Sequence, residues 1–222
     1  MGKIIKRLLR LFLGLFLFAL GAVTIINAKI GVAPWDVFHQ GLSNVTSLTV
    51  GRANIYTGLI FVILNTILGQ RLGWGTVLNM IFIGVFIDIL MLNNLVPMPG
   101  NLLIRYMMLF LGIIAQGLGT YFYISTSLGI GPRDGLMVIL MKKTGYSVGI
   151  IKNIMEISAV TIGFFLGGNF GIGTLIMAFV AGHIWDYLFK RLNFVVDDVE
   201  HRAIKDDYEY FLKRLKKEED AN

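Results

Sequence analysis

The sequence predicts an all-α polytopic membrane protein made of two three-helix repeats, inverted relative to each other. Each repeat also carries a short re-entrant or interfacial half-helix. Three observations predict this: the apolar composition, six long apolar stretches, and a self-match at an offset of 98 residues. Of the 222 residues, 55% are hydrophobic and only 15% charged, where soluble domains carry about 25% charged residues. Mean hydropathy is +0.71. The formal charge of +6 is unevenly spread. The first 194 residues hold 14 basic and five acidic side chains, Asp36, Asp88, Asp134, Glu156 and Asp186. The remainder holds six basic and nine acidic residues. This is a membrane body with basic flanks and an acidic tail, with no nucleic-acid footprint. With no cysteine, disulfides, thiolate zinc sites and cysteine nucleophiles are excluded.

A membrane-crossing helix needs about 20 mostly apolar residues. Six stretches qualify, at roughly 9–28, 52–70, 74–93, 103–127, 148–168 and 172–190. The first follows Lys3, Lys6, Arg7 and Arg10 and could begin a signal peptide. Its apolar run from Leu11 to Ala28 is longer than about 15 residues, and Lys29 follows at once without a small-residue cleavage site. It is therefore expected to be a retained first helix. The last two stretches are separated by Gly167, Gly168, Asn169, Phe170 and Gly171, a turn. Lysine and arginine placement favours cytoplasmic N- and C-termini. Residues 195–222 are charged, and Val199, Ala203, Ile204, Tyr208, Phe211 and Leu212 recur at helical spacing. That predicts an amphipathic cytoplasmic helix, either solvated or contacting a partner.

Residues 14–90 match residues 112–188 without a gap, with 20 identities in 77 positions, eight of them glycines. Apolar composition alone would not align Gly31, Pro34 and Asp36 with Gly129, Pro132 and Asp134, or Asp88 with Asp186. The organisation is thus 1–98, 99–194 and the tail 195–222. Each repeat has three full spans plus a short segment, 34–46 or 132–144. An odd number of crossings inverts the second repeat, an arrangement common in secondary transporters. If the short segments cross, the repeats are parallel instead.

Four constellations could carry chemistry. In Gly31-Val-Ala-Pro34-Trp35-Asp36 and its copy Gly129-Ile-Gly-Pro132-Arg133-Asp134, proline suits a helix start and aspartate suits the positive end of the helix dipole. The aspartates either cap backbone N–H groups or line a solute pathway, with Trp35 and Arg133 distinguishing the two mouths. Gly73-Trp-Gly-Thr76 and Gly171-Ile-Gly-Thr174 read as tight turns with threonine caps; neither has the lysine of a phosphate cradle. Lys152, Asn153 and Glu156 lie in the fifth span. The Lys152–Glu156 spacing allows an i,i+4 ion pair, while a carboxyl inside a membrane suits a proton- or cation-titrating role. Glu156 corresponds to Gly58 in the first repeat, so duplication does not account for it. Asp88 and Asp186 lie near the ends of the third spans. His183 precedes Asp186 by one turn and could relay protons with it, or Asp186 could pair with Lys190.

No metal site or cofactor is expected: His39, His183 and His201 are scattered and no HExxH occurs. No GxSxG elbow occurs either, and no enzymatic activity is expected.

Through GVAPWD, GIGPRD, GWGT, GIGT and the two helix-end aspartates, residues 9–191 resemble the YczE/YitT group of bacterial multipass membrane proteins. The lack of the soluble C-terminal domain common in YitT proteins points to the YczE side. The resemblance implies a bacterial cytoplasmic (inner) membrane location and gives no solute. The sequence as a whole favours a small secondary transporter or permease of an unknown small solute, proton- or cation-coupled. A non-transporting scaffold or accessory protein is the alternative, and an intramembrane enzyme the third reading. The expected partners are the lipid bilayer, the solute, and a cytoplasmic partner through the tail. Gly163-x-x-x-Gly167 suits close helix packing, within the chain or in a homo-oligomer.

Overall fold

The computed structural model describes residues 2–70, 72–196, 199, 203 and 204. Those residues form eight helices: α1 (Gly2–Ala28), α2 (Pro34–Val45), α3 (Val50–Ile67), α4 (Trp74–Leu92), α5 (Leu102–Ile124), α6 (Pro132–Thr144), α7 (Val148–Phe165) and α8 (Ile172–Arg191). Six of these, all but α2 and α6, are long and apolar enough to cross a membrane. Arg71 and nearly all of the expected tail helix lie outside the described residues. Of the tail, Val199 packs against the core and Ala203 is buried. The Ile204 N–H donates to the Leu72 carbonyl at 2.9 Å.

Of the six membrane-length helices, α1 buries the largest share of its apolar window inside the bundle. Leu11, Leu15, Ala19 and Val23 are fully buried, against residues of α4 and α5. α5 crosses α1 at two glycine contacts. A Cβ on Gly14 would come within 2.8 Å of the Gly119 carbonyl, and one on Gly21 within 2.6 Å of the Gly112 carbonyl. Without lipid-phase hydrophobic attraction between helices, such small residues let backbones approach and gain dispersion contacts. The contact order along the two chains is opposite, so α1 and α5 run antiparallel. Polar bonds pin both ends. The Arg7 guanidinium donates to the Thr126 carbonyl at 2.5 and 3.1 Å, and the Asn27 amide donates to the Val96 carbonyl at 2.7 Å.

α2 and α6 start at prolines whose missing N–H falls among the unpaired donors of a helix start. At about 1.5 Å per residue they span about 20 Å or less, short of the roughly 30 Å hydrocarbon core. The segments before them are held by the other half of the chain. The Gly75 N–H donates to the Leu128 carbonyl at 2.7 Å, and the Gly173 N–H donates to the Ile30 carbonyl at 2.6 Å. These two bonds are related by the 98-residue offset at both donor and acceptor. Gly31 (φ +110°) and Gly129 (φ +142°) continue from those carbonyls. Their backbone conformation and the adjoining Thr174 and Thr76 leave no room for a side chain.

α7 packs on α2, α6 on α3, and α8 on α5. Gly163 meets the backbone of Val37 and Phe38, so the glycine of the GxxxG pair serves a contact within the chain. α3 and α4 pack together, whereas the corresponding α7 and α8 diverge. Where a Cβ would stand on Gly149 or Gly182, nothing lies within 4 Å among the described residues.

Candidate functional site

α2 and α6 approach each other at their first turns. Trp35 is the second residue of α2 and Arg133 the second of α6. The Arg133 guanidinium carbon lies 5.1 Å from the Trp35 ring centroid, a cation–π distance. Phe61 of α3 holds the other edge of Trp35, with ring centroids 5.2 Å apart and planes at 87°. The Asn65 amide donates to the Pro132 carbonyl at 2.7 Å, fixing the start of α6. Trp35 and Arg133, which differ between the two copies of the motif, therefore stack on one another.

Arg133 lies within electrostatic reach of Asp36, Asp134, Tyr123 and Glu156. Asp36 is buried on the first turn of α2. Asp134, on the first turn of α6, is exposed. Tyr123, buried near the end of α5, lies close enough to Asp134 to interact with it electrostatically. On α7, Lys152 Nζ is 3.8 Å from Glu156 Oε1, with the lysine half-exposed and the glutamate 26% exposed. Asn153 is exposed beside them. Three carboxylates, a guanidinium and an ammonium thus surround two half-length helix starts, whose free N–H groups add partial positive charge. Such a site can hold a small polar or charged solute and exchange its internal ion pairs for bonds to it.

Neither aspartate caps its helix. The cap positions are Ala33 and Gly131, and neither helix start has a side-chain cap hydrogen bond. Asp36 instead faces His39, whose Nδ1 is 3.5 Å from Oδ1. His39 is fully buried, and neither ring nitrogen has a hydrogen-bond partner among the described residues. Sequence reasoning passed over His39 as one of three scattered histidines. Its spacing of three from Asp36, on one face of a half-helix, was the available signal. Tyr123 carried no signal at all.

The remaining expected residues lie elsewhere. Asp88 holds the start of α3: its carboxylate accepts from the Thr49 hydroxyl at 2.5 Å and from the Gly51 N–H at 2.9 Å. Asp186 and His183 are exposed on α8. His183 Nδ1 contacts the Phe179 carbonyl at 2.9 Å. Among the described residues no bond joins His183 to Asp186, nor Asp186 to Lys190. Thr174 serves both as a cap and as a link. Its hydroxyl accepts from the Gly171 N–H at 3.3 Å and from the Val32 N–H at 3.1 Å.

A depression of about 520 Å³ lies at the far end of α1 and α2. It is lined by Asn27, Lys29, Gln40, Asn44, Gly167 and Asn169 among others. Gln40 accepts the Asn169 N–H at 3.2 Å, tying α2 to the turn after α7.

Residues 5–190 match a protein family described as a family of unknown function (DUF6198). The chain is 36% identical over 177 residues to the "Uncharacterized membrane protein YczE" of Bacillus subtilis (strain 168), covering 78% of this chain and 80% of that one. It is 32% identical over 180 residues to an "Uncharacterized protein" of Haemophilus influenzae, covering 81% and 82%. No solved structure matches it. With the eight-helix architecture and six membrane-length helices, these likenesses make the chain a multipass membrane protein and a member of the YczE-like family.

Proposed function

We propose that this protein is a small secondary transporter of the bacterial inner membrane, built of two inverted repeats with both termini cytoplasmic. The observation that carries the reading is the Trp35–Arg133 contact. It brings two half-length helix starts together within a ring of intramembrane ionisable groups. Antiparallel α1 and α5, and the 98-residue relation between the Gly75–Leu128 and Gly173–Ile30 bonds, support the inverted arrangement. Intramembrane carboxylates and cations are costly unless paired or watered, and by default they mark a pathway. Glu156 and Asp134, both reached from the open side of α7, are the groups that take up a coupling ion or the solute. Arg133 holds the opposing charge. No chemical transformation of the solute is part of this reading.

The test is flux in liposomes. Purified protein is reconstituted with a pH-sensitive dye inside, and amino acids, monovalent cations and small organic cations are supplied in turn. A solute-dependent change of internal pH or solute content is expected. It should fall at least about tenfold in Glu156→Gln and Arg133→Ala. Absence of flux for every solute class, with both variants unchanged in the host, overturns the proposal in favour of a scaffold.

A further inference from the structure

In the first half, α3 and α4 are locked at one end. Asp88 accepts from the Thr49 hydroxyl and from the Gly51 N–H. Gly51 and Gly84 pack backbone against backbone. The Gly51 N–H is a second-position amide with no acceptor inside its own helix, so the carboxylate satisfies an otherwise orphaned donor at the positive end of α3.

Every member of this lock recurs 98 positions later, as Ser147, Gly149, Gly182 and Asp186. There it is undone. Asp186 is exposed, and so are Gly149 and Gly182. Ser147 keeps only its local cap, accepting from the Ile150 N–H at 3.4 Å, as Thr49 accepts from the Arg52 N–H at 3.2 Å. Each helix is instead fixed to a different neighbour. Gly163 holds α7 on α2, and the Trp185 indole N–H donates to the Ile113 carbonyl at 2.9 Å, holding α8 on α5. Two glycines on helices, with nothing within 4 Å of a Cβ among the described residues, weaken those helices and serve no contact among those residues. The same two glycines are what an α7–α8 crossing like that of α3 and α4 would require.

We propose that α7 and α8 close in a second state. In it Asp186 accepts from the Ser147 hydroxyl and the Gly149 N–H, while the Asp88 lock on α3 and α4 opens. This rests on the inverted-repeat reading above. It deepens that reading by naming the gates: Asp88 with Gly51 on one side of the bundle, Asp186 with Gly149 on the other. The structure described here is then the state with the Asp186 gate open. Asp134, exposed, and Glu156, 26% exposed, are reached from that side, and the Asp88 gate closes the side that carries the 520 Å³ depression. Exchange of the two gates moves the access of the central site from one face to the other without moving the site.

The chain has no cysteine, so the gates can be read directly. Thr49→Cys/Asp88→Cys and Ser147→Cys/Asp186→Cys are made separately. Each is oxidised in native membranes, and the remaining thiols are counted by mass tagging. Both pairs are expected to lose their tags. Adding Asp88→Asn to the Ser147→Cys/Asp186→Cys variant is expected to raise its cross-linked fraction several-fold. A second readout leaves Asp186 in place: the alkylation rate of a lone Gly182→Cys should fall several-fold when Asp88→Asn is added. Cross-linking of the first pair only, with the second pair and the Gly182→Cys rate indifferent to Asp88→Asn, overturns the exchange. These measurements need no solute. Intact exchange without any flux supports the gates and overturns the transporter reading, whereas flux without exchange does the reverse.

Discussion

Arg133 lies over the ring of Trp35, 98 residues away, with the guanidinium carbon 5.1 Å from the centroid. The two stand at positions paired by the 98-residue offset of the sequence self-match. A partly desolvated cation–π pair contributes about 0.5–2 kcal/mol. A double-mutant cycle of Trp35→Leu and Arg133→Met, read by thermal unfolding in detergent, should give a coupling of about that size. Arg133→Lys should recover little of it, because the ammonium lacks the flat face that stacks on indole.

The α1–α5 crossing makes a sharper stability prediction. A side chain on Gly21 meets the Gly112 carbonyl at 2.6 Å and the Gln116 side chain at 2.8 Å. Gly21→Val should therefore lower stability by about 1–3 kcal/mol or more through overpacking. Gly149→Ala and Gly182→Ala face open space and should raise it by up to about 1 kcal/mol, since alanine favours the helix. Melting midpoints of the three variants in one detergent check the contrast.

The paired aspartates should also behave unequally. Asp88→Asn weakens two hydrogen bonds to a carboxylate, one of them at a helix start, and should cost about 1–3 kcal/mol. Asp186→Asn changes an exposed side chain and should stay within about 0.5 kcal/mol. Equal losses in the two melts would contradict the asymmetry of the two halves.

Topology can be checked by thiol labelling. Gly167 and Asn169 share a depression with Asn27 and Lys29, so α7 begins at the end of the bundle where Arg7 meets Thr126. Lys143→Cys should then label from the cytoplasm and Asn94→Cys from outside. Labelling of both from one side would exclude antiparallel halves.

The spans were readable because hydropathy over 18 or more residues tolerates small errors at the ends; the expected 74–93 and 172–190 became Trp74–Leu92 and Ile172–Arg191. Pro34 and Pro132 gave the half-helices their starts. The site was only partly readable. Glu156 and the two first-turn aspartates stood out in the sequence as rare acids in an apolar body. That Arg133 would stack on Trp35 did not, because sequence spacing says nothing about contacts across the bundle. The cap assigned to Asp36 and Asp134 failed for a related reason. Asp36 faces His39, and Arg133 lies within electrostatic reach of both carboxylates, so partners beyond the helix start take the place of a local cap. The divergence of α7 from α8 was likewise hidden, since their glycines and aspartate repeat those of the packed pair.

The crossed bonds at Gly75 and Gly173 also bear on the order of synthesis. The acceptor for the Gly75 N–H is made 53 residues later, and the donor for the Ile30 carbonyl 143 residues later. At about 5–20 residues per second, the first waits roughly 3–10 seconds and the second roughly 7–30 seconds after its own residue is joined. Helices α1 to α4 therefore enter the bilayer with one joint unfinished at each end, and only the arrival of Gly173 from the ribosome completes them.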